Sequence, residues 1–251
     1  MNDKQGDLMK KRRTFSSSAY GIAIIVVLVI FMIAGGIYLY IDNHQNDSDS
    51  LIKTDAFRFQ NEYESLNGQE IDNTNRAYLN VTINKNNPVK YASYEEVMNI
   101  LESGTGIIYF GYPECPWCRT IVPVLLEAAE AVGLEPIYYY NAKSIRDVKH
   151  LDENGNIVVD QEGTKEYYDL IEAMSEVLTP YEGLNDDTIK RLYFPTIIAV
   201  KNGIIQDIQI SSVDSQTDPY TSLTDEQHQE LLSIYKNMMK RLLMCDTDTA
   251  C

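Results

Sequence analysis

The stretch Gly106–Pro123, GIIYFGYPECPWCRTIVP, passes from an apolar run into a loop and then into a helical pattern. Gly106 to Gly111 reads as a short buried strand, Tyr112-Pro113-Glu114 as a loop, and Pro116 as the first residue of a long helix. Cys115 and Cys118 stand at that junction. A thiol at a helix N-terminus faces unpaired backbone N–H groups and the positive end of the helix dipole. Both favour the thiolate, taking the pKa from about 8.5 into a range of roughly 3.5–7.5. Two intervening residues let a second thiol reach back and close a small disulfide, which is the layout of a thiol–disulfide exchange site.

Upstream, Tyr78-Leu79-Asn80-Val81-Thr82-Ile83 alternates apolar and polar residues and predicts a half-buried strand. Ser93-Tyr94-Glu95-Glu96 is a capping box opening a helix to about Glu102, with Val97, Ile100 and Leu101 on one face. Downstream, the cysteine-bearing helix runs to Val132 and ends at Gly133, and Pro136–Asn141 reads as a Tyr-rich strand. Asn154-Gly155 marks a turn leading into Ile157-Val158-Val159. Thr164–Val177 reads as a helix burying Leu170, Ile171 and Met174. Thr196–Val200 and Ile204–Ile210 form a hairpin around Lys201-Asn202-Gly203, and a capping box at Thr224–Gln227 opens a last helix to Leu243.

The resulting order, β-α-β-α-β-α-β-β-α, with a CxxC at the start of its second helix, resembles the thioredoxin-like superfamily from Tyr78 to Met244. Pro123, inside the active-site helix, and Phe194-Pro195-Thr196, just before the final hairpin, strengthen the likeness, as does a basic residue, Arg119, after the second cysteine. The resemblance implies an α/β thioredoxin-like fold, a central mixed sheet flanked by helices. It also implies a cis peptide bond before Pro195, turning the backbone of Phe194 toward the cysteines to pair with an extended client. One position departs from the pattern. Thioredoxins carry a buried Asp six residues before the first cysteine, where this chain has Tyr109. That departure, with the Pro-Trp interior, places the chain nearer glutaredoxin-like and exported disulfide-oxidoreductase variants.

On this reading Cys115 is the exposed nucleophile and Cys118 resolves the mixed disulfide. Trp117, Phe194, Pro195 and Thr196 form the client-binding surface. Glu114 and Arg119 act in opposite directions on the Cys115 thiolate. The chemistry requires no cofactor, and no metal site is expected. Beyond the CxxC only Cys245, Cys251, His44, His150 and His228 remain as soft ligands, and they lack metal spacing. Cys245 and Cys251 either close a structural disulfide in the C-terminal tail or form a second redox pair.

Residues 20–41, including the uncharged run GIAIIVVLVIFMIAGGIYLYI, are long enough to span a hydrocarbon core of about 30 Å. Lys10 to Arg13 precede the run and Asp42, Asp47 and Asp49 follow it, which sets the N-terminus inside and the remainder outside. The competing reading is a signal peptide cleaved near Ala34-Gly35-Gly36. The expected organisation is a cytoplasmic basic tail (1–19), a transmembrane signal anchor (20–41) in the cell membrane, a polar stalk and N-terminal extension (42–77), the thioredoxin-like domain (78–244) and a Cys-containing tail (245–251). Removing the first 41 residues leaves 16 basic and 35 acidic residues, a net charge of −19, which argues against nucleic acid as a partner. The expected function is a membrane-anchored thiol–disulfide oxidoreductase acting on exported proteins or peptides, with a membrane redox partner and its direction open. Two alternatives stand beside it: a non-catalytic binding or assembly module holding a static disulfide, and an accessory factor for one exported peptide such as a bacteriocin.

Overall fold

The computed structural model describes residues 28–37 and 55–244. The chain divides into two units, Met1–Ser50 and Leu51–Cys251, and the architecture below belongs to the second. Of the expected anchor, residues 28–37 are described and are helical with exposed side chains. Among the described residues no helix is long and apolar enough to cross a membrane. The rest of the 20–41 run and the Cys245/Cys251 pair lie outside them.

Five strands build a mixed sheet: β1 (Val89–Tyr91), β2 (Gly106–Phe110), β3 (Ile137–Tyr140), β6 (Thr196–Lys201) and β7 (Ile204–Ile210). Their order is β1-β3-β2-β6-β7, parallel across the first three and antiparallel from β2 to β7. Strands β2 and β6 lie in the middle and are buried on both faces, which is why they read as continuous apolar runs rather than alternations. Ile107, Tyr109, Ile197 and Ala199 point into one core, and Ile108, Phe110, Ile198 and Val200 into the other. The first core is closed by residues 55–64 (helix α1), α3 (Pro116–Val132) and α5 (Asp225–Leu243). The second is closed by α2 (Tyr94–Ser103) and α4 (Lys165–Ala173). The capping boxes at Ser93 and Thr224 form as expected, each side-chain oxygen accepting the backbone N–H three residues on.

Two expectations change. Residues 78–83 are not a strand, although Val81 and Ile83 are buried and their neighbours Asn80, Thr82 and Asn84 exposed as the alternation requires. The backbone groups of Val81 and Ile83 bond to side chains instead of a ladder, while Tyr78 pairs with the backbone of Gly68 and Gln69. Asn67 grips both the N–H and the C=O of Val81 at 2.9 and 2.8 Å, and Glu64 accepts the Ile83 N–H at 2.7 Å. The first strand is instead β1, three residues too short to show a period. Helix α4 ends at Ala173 rather than Val177, and the turn beyond it brings Met174 and Leu178 into the second core. Between β3 and α4 a separate two-stranded sheet, β4 (Val148–Leu151) and β5 (Ile157–Gln161), forms the hairpin that Asn154-Gly155 marked.

Candidate active site

Cys115 caps α3. Its backbone is extended (φ −72°, ψ 119°) and its Sγ accepts the Cys118 N–H at 3.3 Å, the bond a Ser or Asp oxygen makes at other helix starts. Pro116 occupies the first helical position, where no N–H is missed. Across the site the Phe194–Pro195 bond is cis, and the Phe194 carbonyl accepts from the Cys115 thiol at 3.6 Å. The two loops meet through their rings. Tyr112 and Phe194 pack edge to face, 5.4 Å apart.

Both cysteines are free thiols, and Cys115 is only 4% exposed, not the open nucleophile the sequence predicts. It sits between the Tyr112 loop, whose carbonyl accepts the Cys115 N–H at 3.2 Å, and the Phe194 loop. Its pKa is nevertheless lowered. The Cys118 thiol donates to it, which outweighs the opposing desolvation, and the N–H groups of Cys118 and Trp117 and the charge of Arg146 add to the effect. Cys118 is fully buried. Desolvation first, then its hydrogen bond to Cys115, push its pKa well up. The pair therefore splits into one activated and one protected thiol.

The cation acting on Cys115 is Arg146, not Arg119. Arg119 turns into the protein and is fully buried. Its guanidinium donates to the carbonyls of Leu79, Tyr63 and Pro113 and to Asn67 Oδ1, at 2.6 to 3.2 Å. It pins residues 63–79 against the start of α3, a role no spacing rule signals. Glu114 is ion-paired with Lys143 at 3.0 Å, so its charge is answered locally.

Tyr109, at the position of the departure, is fully buried with its hydroxyl 2.6 Å from that of Tyr63 on α1. Hydrogen bonding from Tyr109 opposes the upward push on the Cys118 pKa. Tyr235 of α5 is buried beside Cys118 as well. Burial is the first cause raising the pKa of all three phenols, so they stay protonated. Gly111 makes room for the arrangement, since a Cβ there would fall inside the Tyr109 phenol.

Of the remaining expected site residues, Trp117 is half-buried against the first core and Pro195 is buried. Thr196 is fully buried and its hydroxyl donates to the Tyr193 carbonyl at 2.7 Å, so it shapes the loop rather than facing a client. Among the described residues no group of three or more His, Cys, Asp or Glu side chains is placed to hold a metal. His150 pairs with Asp160 and His228 with Glu127, both exposed. No known family model and no curated protein matches the chain.

Proposed function

We propose that this protein is a thiol–disulfide oxidoreductase of thioredoxin-like fold, held at a membrane by residues 20–41 and working on exported proteins or peptides outside it. The observation that carries the reading is the split pair: a lowered-pKa thiol at a helix N-cap, three residues from a buried, raised-pKa thiol, facing a cis-proline loop.

Run as a reductase, the Cys115 thiolate attacks one sulfur of a client disulfide. A Cys115–client bond forms and the other client sulfur leaves as a thiolate. Cys118 gives up its proton to that leaving thiolate and attacks Cys115 Sγ, releasing the second client sulfur as a thiolate and leaving Cys115–Cys118 oxidised. Run backwards, the same steps oxidise a client dithiol and leave the pair reduced. A membrane-held dithiol or disulfide partner resets the cycle in either case. The Tyr109 hydroxyl stabilises the Cys118 thiolate at the resolving step by donating a hydrogen bond to it, where thioredoxins have a buried carboxylate that relays the proton. The burial of Cys115 favours a narrow client range, such as one exported peptide, over general disulfide traffic.

The test is trapping. Full-length chain carrying Cys118→Ser, incubated with a peptide disulfide, is expected to accumulate a Cys115-linked adduct by mass spectrometry, and Cys115→Ser to give none. Absence of adduct at Cys115 while the fold is intact would refute the reading.

A further inference from the structure

Arg146 lies on the segment between β3 and β4, outside the CxxC and proline loops, yet its guanidinium reaches over both. Its Cζ is 6.0 Å from the centre of the Tyr112 ring and 5.6 Å from that of Phe194. Those two rings form one edge-to-face wall beside Cys115. Other cations among the described residues, such as Arg119 and Arg191, also stand outside any ion pair, so what marks Arg146 is its place beside Cys115. The neighbouring Lys143 is paired with Glu114, whereas Arg146 has no carboxylate within ion-pair distance among the described residues. Arg146 as a whole is half-exposed. Aromatic faces hold a guanidinium in place and strip part of its water, which strengthens a bidentate bond to a carboxylate.

A client that pairs its extended backbone with the Phe194 loop carries the side chains flanking its cysteine across the Tyr112/Phe194 wall, toward the Arg146 guanidinium. We infer that Arg146 is a specificity-determining residue, selecting client cysteines flanked by Asp or Glu. The inference rests on the oxidoreductase reading above and adds the chemistry of the substrate. Arg146 acts on recognition, before any bond is exchanged. The exchange is the one already described, with Cys115 forming a bond to the peptide sulfur and the second sulfur leaving as a thiolate.

The long-range field gives the test a clean sign. A chain of net charge −16 attracts a basic peptide and repels an acidic one, so a preference for acidic flanks has only a local source. Full-length chain with Cys118, Cys245 and Cys251 replaced by Ser is reacted with three disulfides. Two are peptides joined to 2-mercaptoethanol through a cysteine flanked on both sides by Glu or by Lys, and the third is neutral bis(2-hydroxyethyl) disulfide. Initial rates of Cys115 adduct formation are read by mass spectrometry and divided by the rate with the neutral disulfide. This cancels any change in Cys115 nucleophilicity and shows that the site is intact.

The native Arg146 is expected to favour the Glu peptide by about fivefold, the upper end for a surface ion pair. Arg146→Gln is expected to remove the preference and Arg146→Glu to reverse it, with both effects shrinking in high salt. A Glu-to-Lys ratio that is the same within about twofold in all three proteins, while the neutral disulfide still reacts, would overturn the selectivity and leave the oxidoreductase reading standing. No adduct with any of the three disulfides, in a folded protein, would overturn both.

Discussion

Cys115 and Cys118 are one helical turn apart and both buried, yet burial decides the fate of only one. At Cys115 the Cys118 thiol, with the helix-end N–H groups and Arg146, outweighs desolvation; at Cys118 desolvation wins. The reactive form of a thiol is the thiolate, so a lowered pKa moves the rise of reactivity to lower pH. Alkylation of Cys115 by iodoacetamide is therefore expected to rise along a single titration with its midpoint below that of a free thiol, about 8.5, while Cys118 stays unreactive over the same range. A midpoint at or above that of a free thiol would contradict the arrangement. Tyr109 offers a second check. Removing a hydrogen bond to a charged group costs about 1.5–3 kcal/mol. Tyr109→Phe is thus expected to lengthen the life of the Cys115–client mixed disulfide about tenfold or more, with a smaller effect on its formation. An unchanged lifetime in stopped-flow measurements would remove Tyr109 from the resolving step.

Arg119 joins helix α1, the 65–83 segment and α3, beside the Glu64 and Asn67 bonds to Ile83 and Val81. Arg119 supplies donors to three carbonyls and to Asn67, and Asn67 in turn holds Val81. Truncation strands those buried acceptors, so Arg119→Ala is expected to destabilise the protein by about 3 kcal/mol. Amide exchange at Val81 and Ile83 should quicken by more than at β2; equal quickening would mean a global effect. The same join explains what the sequence does and does not disclose. Strong periods and caps speak for themselves: β2, α3, the β6–β7 hairpin and the Ser93 and Thr224 boxes are all legible locally. So is the CxxC at its helix start. The 78–83 segment has the burial pattern of a strand but not its partners, because Asn67 and Glu64 are brought to it by tertiary packing alone. Arg146 and Tyr63 are silent for the same reason, lying 31 and 52 residues from Cys115 with no spacing rule to link them.

At the scale of the whole molecule, residues 55–64 belong to the main core rather than to a tether. Phe59 and Tyr63 are fully buried, and Phe59 packs against Tyr63, Tyr109 and Tyr139 at 4.7 to 6.4 Å between ring centres. Phe59→Ala is accordingly expected to cost about 3–5 kcal/mol in denaturant unfolding, a loss below about 1 kcal/mol contradicting that packing. Upstream of this core, the anchor proposed at residues 20–41 should hold the full chain in the membrane pellet after an alkaline wash; release into the supernatant would contradict it. The proposed exchange chemistry stands or falls on the Cys115–Cys118 pair, and the reduction potential of that pair is its sharpest test. Full-length chain with Cys245 and Cys251 replaced by Ser would be equilibrated against glutathione and dithiothreitol buffers, and the Cys115–Cys118 state read by thiol alkylation. A reversible two-electron titration of the folded protein is expected between about −270 and −120 mV, the range of exchange catalysts. A pair that never forms a disulfide, or that can be reduced only on unfolding, would contradict it.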